Sequence, residues 1–383
     1  MKISKLLRDD IIFILKKLIQ IPSENPPGTT KEIVNFLIAE VFKIDQGFHN
    51  QVIVSMKNGV ELHNLVTTIG NGKGKIVLTG HFDVVPAGDL AQWKYPPFSA
   101  KIKNGRLYGR GSADMKGGIA SLIGVIKTLS KIPDFLEKYT LAFVGTADEE
   151  AGMAGSVTLS KRGVMDDSIL LIIAEPTDLK IGISEKGLLW VKLKIMGKSA
   201  HGSTPDEGIN AIEGALKIIP QLYDCLEEKT NVILGKSTLN IGKISGGTAI
   251  NVIPDQAILD LDYRIIPEQD HTSLIDNLKN LQKHNFSIDI EIINELSALQ
   301  TDLNHPFIQN LKEISKTEFL GLSYATDAAH LVSVKNPIPF VIFGPGDPNN
   351  IHKINEFIEL EQIFQAIGYL TNALLQTYSK DKD

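Results

Sequence analysis

Four uninterrupted apolar runs restrict the fold of this 383-residue chain more than any other feature of its sequence. Each run consists mostly of Ile, Leu, Val, Ala and Phe, with no regular alternation of polar residues. Such runs are typical of strands buried on both faces, as in a parallel sheet covered by helices. The runs occupy residues 75–80, 141–146, 168–174 and 340–344. The sequence therefore predicts an α/β fold with a mixed, largely parallel sheet and helices on both of its faces.

Histidine or acidic residues follow the end of every run. These residues are His81 and Asp83, Glu149 and Glu150, Glu175, and His352, and Asp114 follows a fifth run at residues 109–113 that we also interpret as a strand. In open α/β sheets, ligands bind in the crevice outside the carboxyl ends of the strands. Zinc accepts imidazole nitrogen and carboxylate oxygen as ligands. Because Cys225 is the only cysteine, the sequence predicts a hydrolytic metal centre with N and O ligands alone.

The chain is longer than one hydrophobic core usually supports, so two domains are expected. From about residue 187 the pattern changes to an order of β-α-β-β-α-β, which matches a ferredoxin-like unit. The predicted ligands lie on both sides of this unit, so we interpret it as an insertion. The predicted boundaries are 1–186 and 296–383 for a catalytic domain, and 187–295 for the inserted domain.

Composition excludes several classes of protein. The net charge of −6 lacks the basic footprint of a nucleic-acid-binding protein. No apolar run approaches the ~18 residues of a membrane span, so we expect no membrane insertion. A single cysteine permits no disulfide within the chain and fits a reducing compartment. We therefore expect a cytoplasmic protein.

Three of these segments are very similar to the motifs of one protein family. They are Gly80-His81-Phe82-Asp83-Val84-Val85-Pro86-Ala87-Gly88, residues 109–118 around Asp114, and Thr146-Ala147-Asp148-Glu149-Glu150. The family is the two-zinc amidohydrolases that include acetylornithine deacetylase, succinyl-diaminopimelate desuccinylase, aminoacylase and carboxypeptidase G2. The resemblance extends from residues 21–28 to residues 351–356. It implies a zinc-peptidase-like catalytic domain whose inserted domain serves as a lid and dimerisation domain.

The resemblance implies a role for each residue near the strand ends. His81 and Glu175 would bind one zinc ion, Glu150 and His352 the other, and Asp114 both, giving two Zn²⁺ per chain with Co²⁺ as a substitute. Asp83 would hold the imidazole of His81, and Glu149 would be the general base. Family members also carry a cis peptide bond after the bridging aspartate.

The resemblance also implies functional residues in the inserted domain. His201 matches the family's lid histidine, which reaches the tetrahedral intermediate across a dimer interface. Asn251 and Arg264 match positions that bind the carboxylate groups of the substrate. A homodimer through the lid domain is the partner that these features imply.

The substrate implied is a small N-acyl amino acid, cleaved by attack of a zinc-bridging hydroxide. Residues 351–356 look most like those of the desuccinylases, which predicts hydrolysis of N-succinyl-LL-2,6-diaminopimelate to succinate and LL-diaminopimelate. Residues 146–150 look equally like those of acetylornithine deacetylase, and residues 325–329 lack the glycine-rich pattern of many desuccinylases. Acetylornithine deacetylase, aminoacylase and dipeptidase activities remain alternatives.

Each assignment has an ordinary structural alternative. Glu149 and Glu150 could be an acidic pair at a helix N-terminus, Glu175 could cap a turn, and Arg264 could form a surface ion pair. The whole chain could also be a non-catalytic binding protein on the same fold. The presence of all five predicted ligands together with Glu149 favours an enzyme.

Overall fold

The chain forms two units in a computed structural model that describes residues 3–281, 285–332 and 337–379. The first unit contains Met1–Ile183, Thr301–Leu320 and His330–Asp383. The second unit contains Ser184–Gln300 and Gly321–Ala329. Within the described ranges, no helix is both long enough and apolar enough to span a membrane.

The strands are numbered in chain order. They are β1 His49–Lys57, β2 Val60–Ile69, β3 Gly74–His81, β4 Lys101–Lys103, β5 Arg106–Tyr108, β6 Tyr139–Thr146, β7 Ser168–Ile173, β8 Ile181–Glu185, β9 Gly187–Met196, β10 Thr230–Asn231, β11 Gly235–Lys236, β12 Thr238–Gly246, β13 Gln256–Ile265, β14 Ser287–Leu296, β15 Leu299–Gln300, β16 Phe319–Leu322, β17 Phe340–Ile342 and β18 Phe357–Glu359.

The α-helices are numbered in the same way. They are α1 Lys5–Gln20, α2 Lys31–Phe36, α3 Gly117–Leu129, α4 Pro133–Lys138, α5 Ala154–Lys161, α6 Ala211–Asp224, α7 His271–Lys279, α8 Pro306–Ser315, α9 Ala328–Leu331 and α10 Leu360–Tyr378.

A mixed sheet forms the centre of the first unit, with strand order β1-β2-β6-β3-β7-β17-β8. The inner strands β6, β3, β7 and β17 run parallel to one another, whereas the pairs β1–β2, β2–β6 and β17–β8 are antiparallel. The last six residues of β3 and of β6 are all buried, so both faces of the sheet are covered there. The predicted α/β fold with a largely parallel sheet is confirmed.

Close packing brings α3 against the end of β7. A Cβ atom on Gly118, in the first turn of α3, would lie 2.0 Å from the carbonyl oxygen of Ala174. Only glycine permits this approach, which places the turn before α3 beside the end of β7. Asp114 lies in that turn, and Glu175 follows Ala174 directly. The packing of a glycine therefore brings two predicted ligands to the same edge.

The prediction of a strand at residues 109–113 is wrong. These residues form a turn in which Gly111 has φ +79°, a conformation that favours glycine. The backbone N–H of Ser112 donates to the carbonyl of Gly109 (3.1 Å), and that of Lys116 donates to the carbonyl of Gly111 (2.9 Å). The N–H groups of Gly109 and Arg110 donate instead to the carbonyls of Glu356 (3.0 Å) and Pro97 (2.9 Å). The segment therefore turns rather than continuing as a strand, and β5 ends before it.

An antiparallel sheet with order β12-β13-β9-β14 forms the second unit. The chain runs through it as β9, α6, β12, β13, α7, β14, which is the predicted β-α-β-β-α-β order. Its core contains residues of the sheet and of both helices, among them Leu193, Ile195, Ile218, Leu222 and Leu274.

The second unit begins at Ser184 rather than at residue 187, and its first stretch ends at Gln300 rather than at residue 295. A larger difference lies further along the chain. We expected every residue after 295 to belong to the catalytic domain, but residues 321–329 belong to the second unit. Glu185 connects this segment to the rest of the second unit, since its buried carboxyl group accepts hydrogen bonds from the backbone N–H (3.0 Å) and hydroxyl (2.7 Å) of Thr326. A contact between residues 141 positions apart leaves no periodic trace in the sequence.

Candidate metal centre

Three neighbouring parallel strands bring predicted ligands to one edge of the first unit's sheet. His81 is the last residue of β3 and lies opposite Thr146, the last residue of β6. After β6 the chain bends at Asp148, which has φ +72°, and continues into Glu149 and Glu150. Glu175 follows β7, which pairs with β3 on its other side. The sheet order therefore gathers these side chains.

Asp114 lies between two imidazoles. Its Oδ1 is 3.1 Å from Nε2 of His81, and its Oδ2 is 3.1 Å from Nε2 of His352. Glu150 places its two carboxylate oxygens 3.1 and 3.2 Å from the same His352 nitrogen. Glu175 Oε1 lies 3.8 Å from Nε2 of His81. The structure thus brings together all five predicted metal ligands, in two groups that share Asp114.

The peptide bond between Asp114 and Met115 is cis, as the family resemblance implies. Neither residue has helical backbone angles, although α3 begins two residues after Met115. His352 also has an unusual backbone, with φ +58°. Both segments that flank the shared carboxylate therefore leave regular secondary structure at the point where they contact it.

Negative charge dominates this cluster. Hydrogen bonds to the carboxylates of Asp114 and Glu150 raise the pKa of His352 to about 10. Burial disfavours a charged His81, yet Asp114 and Glu175 outweigh burial and raise its pKa well above the ordinary value. Burial also opposes ionisation of Asp114, but the two imidazoles hold the pKa of its carboxyl well below the usual range. The negative electrostatic potential that favours protonation of both imidazoles also favours binding of a divalent cation.

The chemistry of the donor atoms fits a pair of divalent metal ions. Nδ1 of His81 lies 2.9 Å from the backbone carbonyl oxygen of Asp83, so Nδ1 carries a hydrogen, and Nε2 is the nitrogen that would present a lone pair to a metal ion in place of the proton it shares with Asp114. Ligand atoms of His81, Asp114 and Glu150 all lie within 4.8 Å of one another. Imidazole nitrogen and carboxylate oxygen are the donors that zinc takes in hydrolytic sites.

The carboxylate of Asp83 has a different contact from the one predicted. We expected it to hold the imidazole of His81, but its nearest carboxylate oxygen is 3.8 Å from Nδ1, and the backbone carbonyl takes that position. Instead, Oδ1 accepts from the backbone N–H of Glu149 and Oδ2 from that of Glu150, both at 3.2 Å. Asp83 therefore contacts both sides of the site, through its carbonyl and through its carboxylate.

Glu356 is a residue of this centre that the sequence did not reveal. Its buried carboxylate accepts from Arg110 Nη1 (2.7 Å) and from the backbone N–H groups of Gly111 (3.1 Å), Ala113 (2.8 Å) and Asp114 (3.2 Å). One side chain thus holds the turn that presents Asp114. The sequence feature that could have indicated Glu356 is its position four residues after His352, within the segment 351–356 that resembles the family.

His201 lies in the second unit and is exposed. Its Nδ1 accepts a hydrogen bond from the backbone N–H of Ser203 (3.1 Å) and lies 2.7 Å from the hydroxyl of Ser203. Since a backbone N–H can only donate, Nδ1 holds a lone pair, and the hydrogen of the neutral ring resides on Nε2. His201 therefore presents a hydrogen-bond donor to solvent.

Arg264 and Asn251 also lie in the second unit. The guanidinium of Arg264 forms a fork with the carboxylate of Asp262 at 2.8 and 3.2 Å, and Asp262 also accepts from the indole N–H of Trp190 (3.0 Å). Arg264 thus forms an ion pair with Asp262 in this structure, as the structural alternative from the sequence proposed. Asn251 is exposed, and its backbone carbonyl accepts from Gly202 (2.7 Å). Substrate binding by both residues stays a prediction.

In an α/β fold, a sheet whose strand ends bring imidazoles and carboxylates into contact is typical of a metal-dependent hydrolase. Comparison with known families agrees, because the model of peptidase family M20/M25/M40 matches residues 77–376. This chain belongs to that family. Its amidohydrolase chemistry, predicted from the motifs, is confirmed at the level of this family.

Two curated relatives are similar over most of the chain. A probable succinyl-diaminopimelate desuccinylase of Staphylococcus aureus (strain MSSA476) is 32% identical over 360 residues, covering 83% of this chain and 87% of the relative. An acetylornithine deacetylase of Vibrio parahaemolyticus is 31% identical over 355 residues, covering 88% and 90%. The M20 family metallo-carboxypeptidase Sso-CP2 of Sulfolobus solfataricus has the same fold, with a TM-score of 0.75, 22% identity and coverage of 97% and 99%.

Proposed function

We propose that this protein is a zinc-dependent deacylase that hydrolyses N-succinyl-LL-2,6-diaminopimelate to succinate and LL-diaminopimelate in the cytoplasm. One observation carries the proposal more than any other. One carboxylate oxygen of Asp114 contacts His81 and the other contacts His352. Glu175 lies beside the same nitrogen of His81, and Glu150 contacts the same nitrogen of His352. A shared carboxylate is the natural spacer of a two-metal site, whose ions lie ~3.5–4 Å apart.

His81 and Glu175 would hold one zinc ion, Glu150 and His352 the other, and Asp114 both. When bound, such ions polarise a carbonyl oxygen and make water more acidic. The carboxylates of Asp114, Glu150 and Glu175 give this site a negative charge that attracts doubly charged ions. The metal-dependent class is established by the family, and the zinc identity and the count of two are parts of this proposal.

Glu149 is the proposed general base. It lies next to the ligand Glu150 on a turn whose two N–H groups are bonded to Asp83. In this role its carboxylate takes a proton from the attacking water and then delivers it to the nitrogen of the leaving amine, which departs as a neutral amine. Asp83 contributes by fixing the backbone from which both glutamates project.

The second unit would supply contacts to the substrate. The Nε2–H of His201 suits an oxyanion donor, since a donor is needed where negative charge develops on the former carbonyl oxygen. Arg264 offers a planar fork that matches a carboxylate, and Asn251 offers an amide donor. In this proposal the protein is a homodimer through the second unit, and His201 serves the partner's site.

The succinyl substrate is favoured by the Staphylococcus aureus relative, which carries the desuccinylase name. Deacetylation of N-acetylornithine is the second candidate, because the Vibrio parahaemolyticus relative bears that name at nearly equal identity. The two substrates differ in the acyl group, since succinyl ends in a carboxylate and acetyl does not. A cationic contact for that carboxylate would therefore separate them.

The test is a release assay on purified protein with N-succinyl-LL-diaminopimelate, N-acetylornithine, other N-acyl amino acids and dipeptides. We expect the largest kcat/KM for the succinyl compound, loss of activity in chelator and recovery with zinc or cobalt. Glu149→Gln protein serves as the control for contaminating hydrolases. A larger kcat/KM for N-acetylornithine would replace the proposed substrate, and absence of any amide hydrolysis would favour a non-catalytic binding protein.

A further inference from the structure

A tight turn presents the two glutamates Glu149 and Glu150. It begins at Asp148 and ends at Gly152, whose φ of +151° lies in the range that favours glycine. The backbone N–H of Gly152 donates to the carbonyl of Asp148 (3.1 Å), which closes the turn. The side chain of Asp148 is only 1% exposed, so its carboxylate requires partners within the protein.

Lys57 contacts this turn from the hairpin of β1 and β2. Its Nζ donates to both carboxylate oxygens of Asp148, at 2.8 and 2.7 Å, and to the carbonyl of Ala151 at 2.9 Å. All three hydrogen positions of the ammonium group are therefore used on one turn. A Cβ atom on Gly152 would lie 3.2 Å from Nζ, so the lysine packs directly over the glycine.

Asn25 joins this turn to Asp83. Its Nδ2 donates to Oδ1 of Asp148 (3.0 Å) and to Oδ2 of Asp83 (2.8 Å). Asp83 in turn accepts from the backbone N–H groups of Glu149 and Glu150. A continuous chain of contacts thus runs from the ammonium of Lys57 to the backbone of both glutamates.

Charge makes Lys57 the decisive member of this chain of contacts. Asp83 and Asp148 are both fully or almost fully buried and are bridged by an uncharged amide. A buried carboxylate that loses its cation retains the cost of desolvation without the compensating attraction. Without the lysine, the backbone of residues 148–152 would change conformation so that water could solvate the carboxylate of Asp148.

We propose that Lys57 is a positioning residue. It acts through Asp148 to hold the backbone of Glu149 and Glu150 in place relative to the proposed ligands His81, Asp114, Glu175 and His352. The inference rests on the proposed function in one respect, the roles assigned to those two glutamates. The contacts of Lys57 are with the carboxylate of Asp148 and the carbonyl of Ala151, and its role is to hold the turn.

Lys57→Met tests the inference because it keeps the length of the side chain and removes its charge. Lys57→Arg restores the charge. Lys103→Met is a matched control, since Lys103 is exposed and precedes Asn104-Gly105 in a hairpin as Lys57 precedes Asn58-Gly59. Within the described residues, no ion pair involves Lys103.

Two of the measurements require no substrate. The first is zinc affinity by competition with a chelator of known affinity, and the second is hydrogen exchange of the backbone amides in residues 147–153. For Lys57→Met we expect faster exchange confined to that segment and about tenfold weaker binding of one zinc ion, the scale of a lost hydrogen bond to a charged group. Lys57→Arg should recover most of both, and Lys103→Met should match the original protein.

The third measurement is steady-state kinetics on the substrate found in the release assay. At saturating zinc, Lys57→Met should lower kcat about tenfold with KM within twofold, because the misplaced group is the base rather than a substrate contact. If no substrate is found, the proposed function fails while the affinity and exchange measurements still decide the role of Lys57.

Unchanged exchange in residues 147–153 together with unchanged zinc affinity in folded Lys57→Met protein would overturn the inference. Faster exchange throughout the first unit would overturn it as well, because it would indicate a general structural role. If Lys57→Met does not fold, Lys57→Gln, which retains one donor group, is measured in the same way and judged by the same outcomes.

Discussion

The proposed catalytic residues of the two units differ in how completely the protein has already arranged them. In the first unit, Asp114 contacts both His81 and His352, and its carboxylate is buried, although the side chain of His352 is 48% exposed. In the second unit, His201 and Arg264 are at least partly exposed and use local partners, Ser203 and Asp262. The comparison teaches that the groups proposed to bind metal are brought into contact from distant parts of the chain, whereas His201 and Arg264, proposed to contact substrate, are held by partners two residues away in sequence.

Replacing Asp114 should have the largest effect, because its carboxylate contacts both imidazoles. Asp114→Ala should lose both metal ions and all measurable hydrolysis. Metal analysis after dialysis and the release assay measure these two quantities, and Asp9→Ala, a change at an exposed aspartate of α1, is the control. Retention of two tightly bound ions would break the comparison, since convergence would then be unnecessary for binding.

Glu149→Gln should lower kcat by at least the ~10²–10⁴-fold that general acid–base catalysis contributes, while both ions remain bound. Glu150→Gln should instead weaken metal binding, because Glu150 contacts His352 directly. Kinetics and metal analysis of the two neighbouring variants form a matched pair. If Glu149→Gln lost metal and Glu150→Gln kept it, the two assignments would have to be exchanged.

His201→Ala should lower kcat by roughly 10²-fold, the scale of one lost oxyanion donor, and leave zinc content unchanged. If His201 serves the partner's site, mixing His201→Ala chains with Glu149→Gln chains should regenerate activity, because each heterodimer contains one site with both original groups. Labelled chains must first demonstrate subunit exchange. Verified heterodimers without recovered activity would return His201 to its own chain or to a structural role.

Arg264→Ala should raise KM about tenfold with a smaller change in kcat, as expected for a lost contact to a substrate carboxylate. Arg264→Lys keeps the charge but loses the planar fork, so it should recover only part of the affinity. Steady-state kinetics distinguish the variants. KM values equal to that of the original protein would leave Arg264 as the ion pair with Asp262 seen in the structure.

Replacing Glu185 should have the smallest effect, which should appear in the free energy of unfolding rather than in catalysis. Burial, with a smaller contribution from the charge of Asp327, raises the pKa of Glu185 to about 8 from its ordinary value of 4.5. Between these pH values the folded protein retains a proton that the unfolded chain releases, so the free energy of unfolding falls as pH rises, by up to ~1.4 kcal/mol per pH unit.

Glu185→Gln removes this group while keeping a polar side chain of similar size. Urea unfolding of metal-free protein at pH 5.5 and pH 7.5 measures the effect. The stability of the original protein relative to Glu185→Gln should fall by about 2 kcal/mol between the two pH values. An identical difference at both pH values would show that Glu185 does not titrate in this range.

The sequence predicted what depends on local pattern. The ligands at the ends of β3, β6 and β7 could be found because each follows an apolar run that sets its strand. Asp114 was found by its motif, although the strand predicted before it is a turn. Glu356 and Lys57 could not be found in this way, since their partners lie 246 and 91 positions away and leave no periodic signal.

The tie between Glu185 and Thr326 has a consequence for how this molecule can be rearranged by evolution or engineering. The second unit contains two separate stretches, so the chain crosses between units at 183/184, 300/301, 320/321 and 329/330. A transplant of residues 184–300 alone would carry Glu185 but leave Thr326 behind, and would so separate the two hydrogen-bonded partners. Exchange of this unit between relatives therefore requires transplanting two fragments together, and substitutions at positions 185 and 326 should be inherited as a pair.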